Sequence, residues 1–116
     1  MNLNEIVEIN KTFSESRGWF FHKSNNNKEF LEKIQYNSIA LAGEVGEFAN
    51  LVKKSVRSNL SNGEFPNDEM LKRMREEITD VFIYLLLTAS LLGVNLEKEF
   101  LASIKKNEKR FPPQKK

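Results

Sequence analysis

Apolar residues recur at spacings of three and four along most of this chain, and the pattern divides it into helices. Over residues 3–16, Ile6, Ile9 and Phe13 form one stripe, which predicts a first helix. Gly18 ends or bends it. The aromatic run Trp19-Phe20-Phe21 then leads into Ser24-Asn25-Asn26-Asn27, a polar break suited to a turn and a helix start. A long second helix is expected from near Lys28 to between Lys53 and Arg57. Phe30, Ile34, Leu41, Val45, Phe48 and Val52 mark its apolar side, which Leu31, Ala42 and Ala49 broaden. Gly43 and Gly46 each lower helix propensity by about 1 kcal/mol relative to Ala. Their use would be a close backbone approach, or simply a small-residue helix contact.

Residues 58–68 are rich in turn formers and read as the main loop. Asn67 or Asp68 can cap a third helix with Glu69 in its first turn. Met70, Met74, Ile78, Val81, Leu85 and Thr88, joined by Phe82, Leu86 and Leu92, carry that helix to about Leu92. Gly93 stops it and Asn95 caps a fourth helix, from Leu96 to about Asn107, whose packing side is Phe100, Leu101 and Ile104. Pro112-Pro113 closes off regular helix. With no internal repeat and no clean heptads, the expected fold is all-α: a compact helical bundle of about four helices, one domain over residues 1–111 with a basic tail at 112–116.

Composition narrows the classes. At 116 residues, 40% hydrophobic and 29% charged, the chain has an ordinary globular composition. A domain of this size buries only about 60–68% of its unfolded surface, so oligomerisation would help it. Cysteine is absent, which removes disulfides, zinc–thiolate sites and thiol nucleophiles. No signal-peptide pattern opens the sequence, and the longest apolar run, residues 81–87, is far too short to span a membrane; a cytoplasmic location is the expectation. The formal net charge is +2, with an excess of basic residues near the C-terminus. Stable binding to a polynucleotide is not expected from so small an excess.

The chemistry lies in two acidic pairs, Glu44/Glu47 and Glu77/Asp80, each at i,i+3 spacing within an apolar stretch. Residues three apart share a helix face, so two such helices side by side would bring four carboxylates together. Burying that much like charge is costly without a counter-ion, and hard cations are the natural guests. Mg²⁺, with Mn²⁺ as a substitute, would leave ligand positions open for a phosphate chain. The alternative is pairing with the nearby Lys53, Lys54, Arg73 and Arg75. A di-iron carboxylate bundle would call for Glu-x-x-His pairs, and the single histidine, His22, lies near the first break.

The acidic motifs stand as EVGE at residues 44–47 and EITD at 77–80, within ALAGEVGEFANLVKK and MREEITDVFIYLLL. In this the chain resembles the all-α nucleoside triphosphate pyrophosphohydrolase superfamily, in particular MazG-like proteins and their dCTP-pyrophosphatase relatives. The resemblance covers about residues 17–111. Upstream, RGWFFHK is similar to the family's aromatic segment, which implies nucleotide contact at Trp19, Phe21 and His22. Gly18 stands where family members often have an acidic residue, and the asparagine-rich insertion is longer than the common connection. Downstream, NEKR resembles the family's Asn-x-x-Arg ending, which implies phosphate contact at Asn107 and Arg110 with Lys106 or Lys109 as helpers.

The resemblance implies hydrolysis of an NTP or dNTP between the α and β phosphates, giving the monophosphate and pyrophosphate. It further implies Mg²⁺ held by Glu44, Glu47, Glu77 and Asp80, with Glu47 as orienter or base for the attacking water. The expected assembly is a homodimer or a dimer of dimers. The competing reading is a non-enzymatic helical protein that binds nucleotides or nucleic acid, or an inactive regulatory relative.

Overall fold

A computed structural model describes residues 1–18 and 26–114. It consists of four helices, α1 (Leu3–Ser16), α2 (Asn27–Asn62), α3 (Asp68–Leu91) and α4 (Leu96–Arg110), with no strand among the described residues. The all-α, four-helix bundle read from the sequence is the observed architecture.

Every helix starts in the same way. Asn2, Asn26, Asn67 and Asn95 are N-caps in extended conformation, and each side-chain oxygen accepts from the backbone N–H three residues on, at Glu5, Glu29, Met70 and Lys98. The distances are 2.9, 2.8, 2.9 and 3.1 Å. One otherwise unpaired helix-end donor is satisfied each time, a contribution of about 1 kcal/mol per cap.

Two helix ends differ from expectation. The sequence predicts that α2 stops by Arg57, yet it runs on to Asn62. Residues 58–62, SNLSN, lower helix propensity only by tenths of a kcal/mol each, and the first effective stop is Gly63 at φ 70°, whose N–H donates to the Asn59 carbonyl at 2.7 Å. Helix α4 likewise continues past Asn107 to Arg110, because nothing before the prolines opposes it. The end of α3 is as expected: Gly93, at φ 70°, and Val94 donate back to the Ser90 and Ala89 carbonyls at 3.1 and 2.9 Å, which is the Schellman arrangement.

Helix α3 is central. It packs along α2 on one side and α1 on another, while α4 rests on α1. Asn10 Nδ2 donates to the Ile83 carbonyl at 3.2 Å, keying α1 to α3, and Asn4 Nδ2 donates to Glu97 at 3.2 Å, linking α1 to α4. Among the described residues the buried apolar side chains are Leu51, Leu86, Leu87 and Ala89. Ser14, Lys33 and Asn37 are buried as well, and Lys33 pairs with Glu29 at 3.0 Å.

Much apolar surface is left uncovered in the single chain. Val45, Val52 and Val56 on α2 and Ile78, Phe82 and Leu85 on α3 are exposed. The expected packing side of α4 is open too, with Phe100, Leu101 and Ile104 at 61%, 55% and 41% exposure, because α4 meets only α1 closely. A Cβ at Gly43 or Gly46 would find no neighbour within 4 Å among the described residues, so no close backbone approach to them is seen there. The radius of gyration, 18.2 Å, exceeds the roughly 13 Å of a close-packed domain of this length. No single helix among the described residues is long and apolar enough to cross a membrane.

Candidate metal centre

The long contact between α2 and α3 brings the two acidic motifs together. Within each helix the i,i+3 spacing aims both carboxylates to one side. One oxygen each of Glu44, Glu77 and Asp80 lies within 4.8 Å of the others, and all three side chains are half-buried. The fourth acid, Glu47, is exposed and stands outside that triad, though its carboxyl reaches both Glu77 and Glu44.

The electrostatics are those of crowded like charge. A hydrogen bond with Glu77 and repulsion from its charge hold the Glu47 carboxyl above the usual value of 4.5, helped by partial desolvation; its bond with Glu44 acts the other way. Glu77 is raised chiefly by its hydrogen bond with Glu44 and then by desolvation, with repulsion from Glu44 and Asp80 adding and its bond with Glu47 opposing. Two carboxyls bond to each other only by retaining a proton, which is why Glu47 and Glu77 are shifted upward.

No lysine or arginine among the described residues pairs with these four acids, and Lys33–Glu29 is the ion pair found there. The alternative of pairing with Lys53, Lys54, Arg73 or Arg75 is therefore not what the fold adopts. Glu44 Oε2 and Glu77 Oε2 are buried without a hydrogen-bond partner. Unpartnered buried carboxylate oxygens are expensive, and a set of hard oxygen donors converging on one small volume fits a hard divalent cation.

Tyr84 is a member of this neighbourhood that sequence reasoning missed. Desolvation raises its phenol, followed by the charges of Tyr36, Glu44 and Asp80. The available signal was spacing, since Tyr84 follows Asp80 by four residues and Glu77 by seven, on the same helix face.

The remaining predicted contacts are not gathered here. Trp19, Phe21 and His22 lie outside the described residues. Lys106, Asn107, Lys109 and Arg110 are exposed on the last turns of α4, a helix that packs on α1 rather than beside the acids. The Asn107 carbonyl accepts from the Phe111 N–H at 2.8 Å, and the Arg110 guanidinium lies 5.2 Å from the Phe111 ring centroid.

Comparison with known proteins agrees with this geometry. The chain is 29% identical over 111 residues to dCTP pyrophosphatase 1 of Mus musculus, and 30% identical over 112 residues to the Homo sapiens protein of that name. Each match covers 95% of this chain and 59% of the relative, so the chain spans less than two thirds of their length. The model of the MazG nucleotide pyrophosphohydrolase domain matches residues 28–114, which include both acidic motifs. With three quarters of its length matched, and with those motifs facing each other across two packed helices, the chain belongs to the MazG nucleotide pyrophosphohydrolase domain family.

Proposed function

We propose that this protein hydrolyses nucleoside or deoxynucleoside triphosphates between the α and β phosphates in a Mg²⁺-dependent reaction, releasing the monophosphate and pyrophosphate. The observation that carries this reading is the convergence of Glu44, Glu77 and Asp80 within 4.8 Å, with two of their oxygens buried and unpartnered. The relatives named above act on dCTP by name, which supports a nucleotide substrate here without fixing its base or sugar.

Glu44, Glu77 and Asp80 would hold the cation, with Glu47 at its exposed edge. When bound, Mg²⁺ offsets the negative charge of the acids and the phosphate chain and polarises phosphoryl oxygens. The protein's own task is then positioning. Glu47, exposed beside Glu77, orients a water for attack on the α-phosphorus and accepts its proton. The bond from that phosphorus to the αβ bridging oxygen breaks, and pyrophosphate leaves with the bonding pair.

In this reading Trp19, Phe21 and His22 contact the nucleoside, and Lys106, Asn107, Lys109 and Arg110 neutralise phosphate. A homodimer or dimer of dimers covers the exposed apolar faces of α2, α3 and α4 and lets the basic end of α4 from a second copy approach the acids. The domain occupies residues 1–111 with a basic tail after it.

The test is a panel of canonical and damaged NTPs and dNTPs with Mg²⁺, resolving monophosphate, diphosphate, pyrophosphate and orthophosphate. Monophosphate plus pyrophosphate, abolished by EDTA, is the expected result. No turnover with Mg²⁺ or Mn²⁺ by the folded protein would leave a nucleotide-binding regulatory protein on the same scaffold.

A further inference from the structure

An open groove of roughly 290 Å³ runs along α3, lined by Lys72, Arg75, Glu76, Thr79 and Asp80. Asp80 belongs both to this groove and to the acidic triad, so the two are continuous. The cations lie towards the start of α3. At 1.5 Å per residue, Arg75 and Lys72 stand about 7.5 and 12 Å along the helix axis from Asp80.

Neither cation is used elsewhere: among the described residues Lys72 and Arg75 enter no ion pair, although Glu76 and Asp80 share their groove. The Thr79 hydroxyl is not available as a donor, because it bonds to the Arg75 carbonyl at 2.8 Å. Anion-binding capacity in the groove therefore comes from one ammonium and one guanidinium. Glu76 is the single carboxylate there that is not part of the triad, and it opposes them.

From this juxtaposition we infer that Lys72 and Arg75 bind the pyrophosphate end of the substrate, the two phosphates that leave, while the α-phosphate stays over the acids. The inference rests on the hydrolytic reading above and adds a direction to it: the phosphate chain points along α3 towards its N-terminal turns. A guanidinium presents a planar fork of donors to phosphate and an ammonium a mobile point charge, a combination suited to a product that must also depart.

Isothermal titration calorimetry on the full chain, with Mg²⁺ present and inorganic pyrophosphate as the probe, separates the possibilities. Lys72→Met and Arg75→Met keep the apolar stems and remove the charges, and at these exposed positions they leave the fold intact. Each is expected to raise the Kd for pyrophosphate about three- to tenfold, leaving the affinities for Mg²⁺ and for nucleoside monophosphate unmoved. Glu76→Gln is expected to tighten pyrophosphate binding. Pyrophosphate affinity that is absent in the wild type, unchanged by the variants, or weakened in step with monophosphate overturns the assignment. Groove-dependent pyrophosphate binding without any triphosphate turnover would support the groove and remove the hydrolytic reading alone.

Discussion

Glu44 on α2 and Glu77 on α3 bring carboxylate oxygens within 4.8 Å of each other, and each keeps its Oε2 buried with no partner. Two acids held in this way are a source of instability in the metal-free chain and a source of affinity once a cation arrives. Mg²⁺ should therefore raise the melting temperature by mass action, about 2.7 kcal/mol at one hundred times its dissociation constant. Glu77→Gln should raise the metal-free melting temperature and abolish most of the Mg²⁺ response. Thermal melts of both proteins with EDTA and across a Mg²⁺ series check this; equal responses in the two would remove Glu77 from the ligand set.

The same crowding sets a pH dependence. Glu47 and Glu77 are raised above 4.5 in the folded chain, and unfolding separates them from their neighbours. Between the unfolded and folded values the folded state holds more protons, so stability falls as pH rises through that window. The favourable contribution is complete below about pH 4.5 and is lost above the folded values. Urea midpoints measured in EDTA from pH 4 to 8 should show this decline. A double variant, Glu47→Gln with Glu77→Gln, isolates it: the decline should be smaller in the variant than in the wild type, and parallel curves would contradict the assignment.

Glu47 differs from the other three acids in being exposed and outside the triad. Its loss should therefore affect chemistry more than metal binding. Glu47→Gln is expected to lower kcat by about 10²- to 10⁴-fold, the usual worth of a general base, while the Mg²⁺ dissociation constant moves far less. Full turnover in this variant would end the proposed role of Glu47 and leave the reaction class standing.

The acidic site was legible in the sequence because i,i+3 pairs in apolar stretches constrain geometry locally, and the one further requirement was that α2 and α3 be neighbours. Helix starts were legible for a similar reason: an asparagine cap acts within four residues, as at Asn67 and Asn95. The end of α2 was harder to read, since weak residues such as Ser58 and Asn59 lower helicity only slightly and Gly63 alone reverses the backbone. Tertiary facts were not legible either. Nothing local to Lys33 or Asn37 announces that both are buried, and the apolar spacing of α4 does not reveal that Phe100 and Leu101 face open space.

That open apolar surface leads to the last prediction. On α2, Val45, Val52 and Val56 are exposed by 46%, 36% and 53%; on α3, Ile78, Phe82 and Leu85 by 47%, 39% and 42%. At 100° per residue each trio keeps to one side of its helix, and the two helices pack on each other. Two adjacent apolar stripes on so small a domain exceed the scattered exposure normal for a monomer. The expected species in light scattering after size exclusion is a dimer or tetramer. Val56→Lys with Phe82→Lys should shift it towards monomer and lower the melting temperature in a concentration-dependent way. Wild-type monomers across micromolar concentrations would refute the assembly, whereas oligomers indifferent to these substitutions would move the interface to the exposed face of α4.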